Sequence, residues 1–572
     1  MKRPLKHLRR AALSVTACAA VASLGACSTL PRDTNPEVLY SLEAAPDEQP
    51  AVGPQPGQEP DLLLRSFFTA AAIPAGDYEA ARSFLTADAA SRWSPQGDVL
   101  LVDAIDLTTV AGASESDQRT FAVRGSVIGS LAGGLYTPQT GTYEAEIEMT
   151  QVDGEWRIAD LPSGVVIERT ELRNQYQPQA LYFFDRTGKA LVKDRRWLYS
   201  GQNSLDVELI TLLMQGPNRD LAPATRTVLP TSAEFVGVDD GTYTFTGLNE
   251  MGEDDRRRLG AQIVWTLSNA GVPGPYAIEA DSAPLIDGLD ELTTDDFADV
   301  NPQVPANSVA PLYAVNDGRI LRVTGNSAEP VEGQLGVSDD IQSADVSAAG
   351  TVAAVRSAGD EYRLYFGDVG GQIDRSLSGE TLSRPTFEIG GEAAWTVVNG
   401  ETVVRVVRSS NGQLAETEVN TAELEDIDGE ISVLRLSSTG ARVAMIIGGK
   451  IFTGMVERQS SGEVRIVNVR EFAPELGGTA LTLDWQPDGS IVVGTSAQES
   501  PVWRVEQDGS SVSALPSGNV TAPVVAIAAS PSTVYITDTR AMLQTPSTDS
   551  DTAFWREVPG LQGVRSAPIV AN

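Results

Sequence analysis

A chain of 572 residues with a single histidine, two cysteines and a formal net charge of −35 has few routes to catalysis. Its histidine, His7, and both cysteines, Cys18 and Cys27, lie near the N-terminus, so the body of the chain can assemble no Ser-His-Asp or Cys-His triad and no Cys/His zinc site. The length suggests several domains, and the acidic balance, which repels phosphates, speaks against nucleic acid as a partner.

The N-terminus has the layout of an export signal. Lys2, Arg3, Lys6, Arg9 and Arg10 form a cationic region, and Ala11 to Ser23 is small, apolar and uncharged. This run is shorter than the roughly 20 apolar residues of a comfortable transmembrane helix. It ends at Leu24-Gly25-Ala26-Cys27, which reads as a lipobox: Leu24, Gly25 and Ala26 lead to the cleavage point, and Cys27 is the residue lipidated. Val15-Thr16-Ala17-Cys18 has a similar form, but its use would shorten the apolar core to Ala11–Ala17. Residues 1–26 are therefore predicted to be a signal peptide. The mature chain would keep no histidine, one lipidated cysteine and a charge of −40, because the signal carries five bases and no acids. A diacylglyceryl group holds a membrane stably where one acyl chain does not. The expected location is the extracytoplasmic side of the cell membrane.

Residues 27–60 read as a tether, with prolines at 31, 36, 46, 50, 54, 56 and 60 and few large apolar side chains. At about 3.1 Å per residue its maximum reach is roughly 100 Å. Residues 61–172 read as a small α+β domain. Asp61-Leu-Leu-Leu-Arg-Ser-Phe-Phe has an apolar helical face, and Gly76-Asp-Tyr-Glu-Ala-Ala-Arg-Ser-Phe-Leu opens a second helix with Tyr78, Ala81 and Leu85 on one side and Asp77 as its cap. The period then changes to two, which predicts strands at 120–126, 142–150 and 155–160, the last two joined at Val152-Asp153-Gly154. Helices followed by a curved antiparallel sheet suggest a cone of the nuclear-transport-factor type, with a packing or binding role.

Residues 179–299 read as a second α+β domain: a hairpin turning at Gly188, a helix over 204–214 stopped by Gly216-Pro217, a longer helix over 253–270, and a strand over 276–279. From 310 to 571 the texture is all β. The turns Ser347-Ala-Ala-Gly350, Gly390-Gly391, Ser437-Ser-Thr-Gly440, Gln486-Pro-Asp-Gly489 and Ser530-Pro-Ser-Thr533 recur every 40 to 50 residues between apolar strands. A sandwich of hairpins shares this strand content, but the period is that of a four-stranded propeller blade. With the hairpin at 312–323, about six blades are expected.

No phosphate-binding loop occurs, since Gly448-Gly449-Lys450 lacks the context, and Asp239-Asp240-Gly241 reads as a turn rather than as part of a calcium loop. Among 77 acids, chance carboxylate pairs are expected, so pairs alone do not indicate a glycosidase. The eight tryptophans are spread over all three domains and suit core packing. No catalytic residue, cofactor site or metal site is assigned.

The chain resembles the LpqB family of actinobacterial lipoproteins. The resemblance covers essentially the whole mature chain and is carried, in order, by Gly76-Asp-Tyr-Glu-Ala-Ala-Arg-Ser-Phe-Leu-Thr, Asp153-Gly-Glu-Trp-Arg-Ile, Leu181-Tyr-Phe-Phe-Asp, Gln215-Gly-Pro217, Leu221-Ala-Pro-Ala-Thr-Arg-Thr-Val-Leu-Pro230 and Ala261-Gln-Ile-Val-Trp-Thr-Leu267. It implies a lipobox, an N-terminal domain, a GerMN-like domain and a C-terminal propeller. It also implies a non-enzymatic accessory role beside the extracytoplasmic part of the MtrB sensor kinase of the MtrAB two-component system, in cell-wall homeostasis and division. Cys27 is the one site residue it carries over. A binding protein for a cell-wall polymer or small ligand is the alternative that composition leaves open.

Overall fold

The structure, a computed structural model, describes residues 53–111, 117–303, 309–547 and 554–571. Leu24, Gly25, Ala26, Cys27 and most of the predicted tether lie outside these residues.

The first domain begins with three helices: α1 (Pro60–Ala71), α2 (Ala75–Arg82) and α3 (Ala87–Arg92). Pro60 occupies the first turn of α1, where a missing N–H costs nothing, and it is buried rather than part of a free tether. Just before it, the Gly57 N–H donates to Glu155 (2.9 Å), so the docked chain already includes this stretch. The second helix differs from expectation. Gly76, Asp77 and Tyr78 are left-handed, the helix stops at Arg82, and Leu85 lies beyond it. Asp77 makes no cap; its carboxylate takes Arg82 instead (2.8 Å), a local pairing that competes with capping.

The sheet follows as β1 (Val99–Thr109), β2 (Gln118–Ala132), β3 (Leu135–Val152), β4 (Glu155–Asp160) and β5 (Val166–Glu168), in the order β4-β3-β2-β1-β5. The long strands carry register shifts at Leu101/Val102 and Val127/Gly129, which bend them around the helices. Phe67, Phe84, Trp93, Ile147 and Ile158 fill the space between helices and sheet. The pocket beside Phe67, Phe68, Trp93 and Ile147 opens only about 10 Å3, too little for a ligand. The short α4 (Arg169–Gln175) leads into the second domain.

That domain pairs β6 (Tyr176–Phe184) with β7 (Leu191–Tyr199) as a hairpin, with Gly188 in the turn. A second sheet has the order β11-β10-β9-β8, from β8 (Glu234–Asp239), β9 (Thr242–Thr246), β10 (Ala277–Ala280) and β11 (Ala283–Pro284). The turn between β8 and β9 is the Asp240-Gly241 turn, both residues at positive φ. The helices α5 (Leu205–Gln215) and α6 (Glu253–Asn269) complete one apolar core, and α6 lies on β6, where Thr266 accepts from the Tyr182 N–H (3.2 Å).

The third domain is a ring of six four-stranded antiparallel sheets. Blades two to six run inward to outward over 341–379, 386–418, 431–472, 480–514 and 526–557. Blade one is composite: Leu312–Asn316, Arg319–Thr324 and Ser327–Pro330 are completed on the inside by the C-terminal strand Ala567–Val570. In blades two to five the turn after the innermost strand closes with a glycine N–H donating to the carbonyl three residues back, as Gly350 to Ser347 (2.9 Å) and Gly440 to Ser437 (2.7 Å). These glycines sit at φ 65 to 89°, a region hostile to side chains, which is why the repeat is visible in the sequence. One short α-helix, Gln334–Val337, and the 3-10 turns Ala422–Leu424 and Pro474–Leu476 interrupt the all-β pattern. Every tryptophan except Trp503 is buried.

Candidate functional site

Residues from 53 onward pack as one unit, and the three domains meet at a single seam built on β7. Its sequence Lys193-Asp-Arg-Arg-Trp197 alternates sides. Lys193, Arg195 and Trp197 face the propeller. Arg195 pairs with Glu506 (2.7 Å) and Asp508 (3.2 Å) in blade five and stands over the Trp197 ring, 5.5 Å from its centre. The Trp197 indole N–H donates to the same Asp508 carboxylate (2.9 Å), and the Lys193 ammonium donates to the Asp488 carbonyl (3.2 Å). On the other side of the strand, Asp194 is fully buried. Arg196 and Asn218 hold it, and Arg196 also reaches the Gly133 carbonyl of the first domain (2.8 Å).

The first domain enters through the β2–β3 hairpin tip. The Trp197 N–H donates to the Gly134 carbonyl (2.7 Å). A Cβ on Gly509 would lie 2.8 Å from Pro138 Cγ of β3 and 3.1 Å from Phe472. With its φ of +80°, this turn admits glycine only. Gly509→Ala is expected to cost about 1–2 kcal/mol and to show as a lower chemical-denaturation midpoint. On the far side of the seam Asp220 accepts from Asn468 (carbonyl, 2.8 Å) and Arg470 (carboxylate, 3.3 Å). Val192, Leu221 and Ala224 pack against Ala441 and Met455 of blade four.

Between the second domain and blades four and five lies a cavity of about 350 Å3. Lys193, Arg442, Gln507, Ser438, Leu191 and Trp485 are among its walls. Burial pushes the Arg442 guanidinium down to about 10, and burial together with the neighbouring Arg195 charge lowers the Lys193 ammonium.

The propeller axis is closed. Arg384 of blade three donates to the Ile527 carbonyl of blade six, directly opposite (2.9 Å), and pairs with Asp345 of blade two (3.3 Å). Arg435 of blade four bridges Asp345 (3.3 Å) and Asp484 (3.1 Å). Burial depresses the Arg435 guanidinium, but the two carboxylates outweigh it and raise its proton affinity. Arg384 is lowered by burial and by Arg435. This balanced plug leaves no open bore for a ligand along the axis.

Three family models match the chain: "Lipoprotein LpqB, N-terminal domain" over residues 53–173, "Sporulation and spore germination" over 180–286, and "Lipoprotein LpqB beta-propeller domain" over 318–571. Proteins named "Lipoprotein LpqB" from Corynebacterium diphtheriae, Corynebacterium jeikeium and Rhodococcus jostii are 42%, 38% and 35% identical. The alignments cover 99% of this chain and 99% of the first relative, 96% and 96% for the second, and 98% and 99% for the third. The chain belongs to the LpqB lipoprotein family. Neither the descriptions of the matching models nor these relatives' names describe an enzyme. Among the described residues no cluster of His, Cys, Asp or Glu is arranged to hold a metal, and no helix is long and apolar enough to cross a membrane. The seam was not foreseen from sequence. A strand reading Lys-Asp-Arg-Arg-Trp has the look of a solvated edge, and only the aromatic beside the charges signals burial.

Proposed function

We propose that this LpqB family member is a non-enzymatic lipoprotein, anchored through a diacylglyceryl group on Cys27 at the extracytoplasmic face of the cell membrane. There it regulates the MtrAB two-component system by contact with the MtrB sensor-kinase ectodomain, in cell-wall homeostasis and division. The observation that carries this reading is the end-to-end match to lipoproteins of one family, together with the lipobox that ends at Cys27. The seam supports it: three domains fixed against one another present a single body to a partner, with few internal motions to lose on binding.

Crosslinking of the lipidated protein in cells followed by capture is expected to recover the sensor-kinase ectodomain. Capture of wall fragments without any kinase would replace this reading by wall binding. Cys27→Ala is expected to leave the protein unprocessed or to release it from the membrane fraction. Mass spectrometry of the wild-type N-terminal peptide should carry the lipid mass on residue 27, and an unmodified, membrane-bound Cys27 would overturn the anchor.

A further inference from the structure

The seam cavity holds two cations that make no ion pair among the described residues, although the charges of Asp194 near Arg442 and of Asp488 and Glu506 near Lys193 offset them in part. The side chain of Arg442 is buried, and its one side-chain hydrogen bond among the described residues goes to the Lys193 carbonyl (2.7 Å). Lys193 likewise meets a carbonyl, that of Asp488, and not its carboxylate. The Asp488 carboxylate is engaged elsewhere, by Arg504 and by the Ser490 N–H and hydroxyl. Holding the buried Arg442 guanidinium against a neutral oxygen, with the half-buried Lys193 ammonium beside it, is costly, and an anion in the cavity would offset that cost.

A second observation narrows the anion. Gln507 lines the same cavity, and its Oε1 is buried with no hydrogen-bond partner, so an unmet acceptor sits beside the two cations. A ligand that satisfies both carries an oxyanion and an N–H close together. Leu191, Trp485 and Pro487 supply apolar wall for a small side chain, and about 350 Å3 lies in the lower range of small-molecule sites. We propose that the cavity between the second domain and blades four and five binds the C-terminal residue of a peptide or an N-acylated amino acid. Its carboxylate lies against Arg442 and Lys193, and its amide N–H donates to Gln507. Ser438, exposed on the rim, marks the entrance.

The inference goes beyond contact with a kinase and does not depend on it. The test is calorimetric titration of the full-length protein in detergent with N-acetylalanine, its neutral amide N-acetylalaninamide, acetate and inorganic phosphate. N-acetylalanine is expected to bind at least about ten-fold more tightly than the neutral amide and than acetate. Arg442→Gln should remove about ten-fold of that affinity, with Arg442→Lys retaining part of it. Because Arg442 also braces the seam, Ser438→Trp serves as a second variant: it obstructs the mouth from an exposed turn, and it should abolish binding while the melting temperature holds. Equal binding of acid and amide, binding of phosphate alone, or binding of none of the four probes would each overturn the proposal. None of these results bears on recovery of the kinase.

Discussion

Arg435→Leu is expected to cost the propeller about 3–5 kcal/mol, because it leaves Asp345 and Asp484 facing each other inside the ring with Arg384 alone for compensation. For a domain of this size that corresponds to a fall in melting temperature on the order of 10 °C. The guanidinium is buried, bridges two carboxylates and donates to the Pro385 carbonyl (2.7 Å), so no solvent replaces it. Adding Asp345→Asn and Asp484→Asn to Arg435→Leu should restore part of the loss, since the damage lies in the stranded charges rather than in the missing pair. An unchanged denaturation midpoint for the single variant would mean that water enters the axis.

Asp508→Ala is expected to loosen the seam by about 3 kcal/mol. The carboxylate is buried and serves Arg195, the Trp197 indole and the Ser510 N–H and hydroxyl at once. Arg195 keeps Glu506, so the propeller itself should persist. What changes is its coupling to the second domain. The wild-type protein should melt the two domains together, and the variant should show two calorimetric transitions, with faster amide exchange along β7. A single unshifted transition would show that the remaining contacts, Arg195 with Glu506 and Asp220 with Asn468 and Arg470 among them, hold the seam without Asp508.

Blades two to five were legible in the sequence because a positive-φ glycine recurs where the innermost strand turns, at Gly350, Gly391, Gly440 and Gly489, and blades one and six from the hairpin at 312–323 and the turn Ser530-Pro-Ser-Thr533. Helices α1, α5 and α6 were legible from their apolar faces and breakers, Gly216-Pro217 among them. Strand β1 was missed because its register breaks at Leu101/Val102 and again before Ile105, which destroys the alternation that marks a strand. The second sheet was read only at its end, since β8 exposes Val236 and Val238 on the flank of the domain and so lacks a buried apolar alternation. The left-handed start of α2 escaped because Gly76-Asp-Tyr carries the composition of a cap. The seam and the axial plug escaped for a common reason: both are built from charged residues on strands, and such residues signal solvent unless their partners, hundreds of positions away for Arg195 and Asp508, are known.

The composite first blade sets a schedule for the chain. Its outer three strands are made by residue 330, but its innermost strand, Ala567–Val570, is made only after all the other blades. Blades two to six can pair locally as they appear, whereas the ring must wait with one gap open until residues 567–570 are made. A product cut short anywhere before residue 567 therefore never closes its circle, and it exposes the unpaired edge of Leu312–Asn316, the kind of strand edge that quality-control proteases and chaperones meet in unfinished proteins. Closure of the propeller is in this sense a signal that synthesis has passed residue 570.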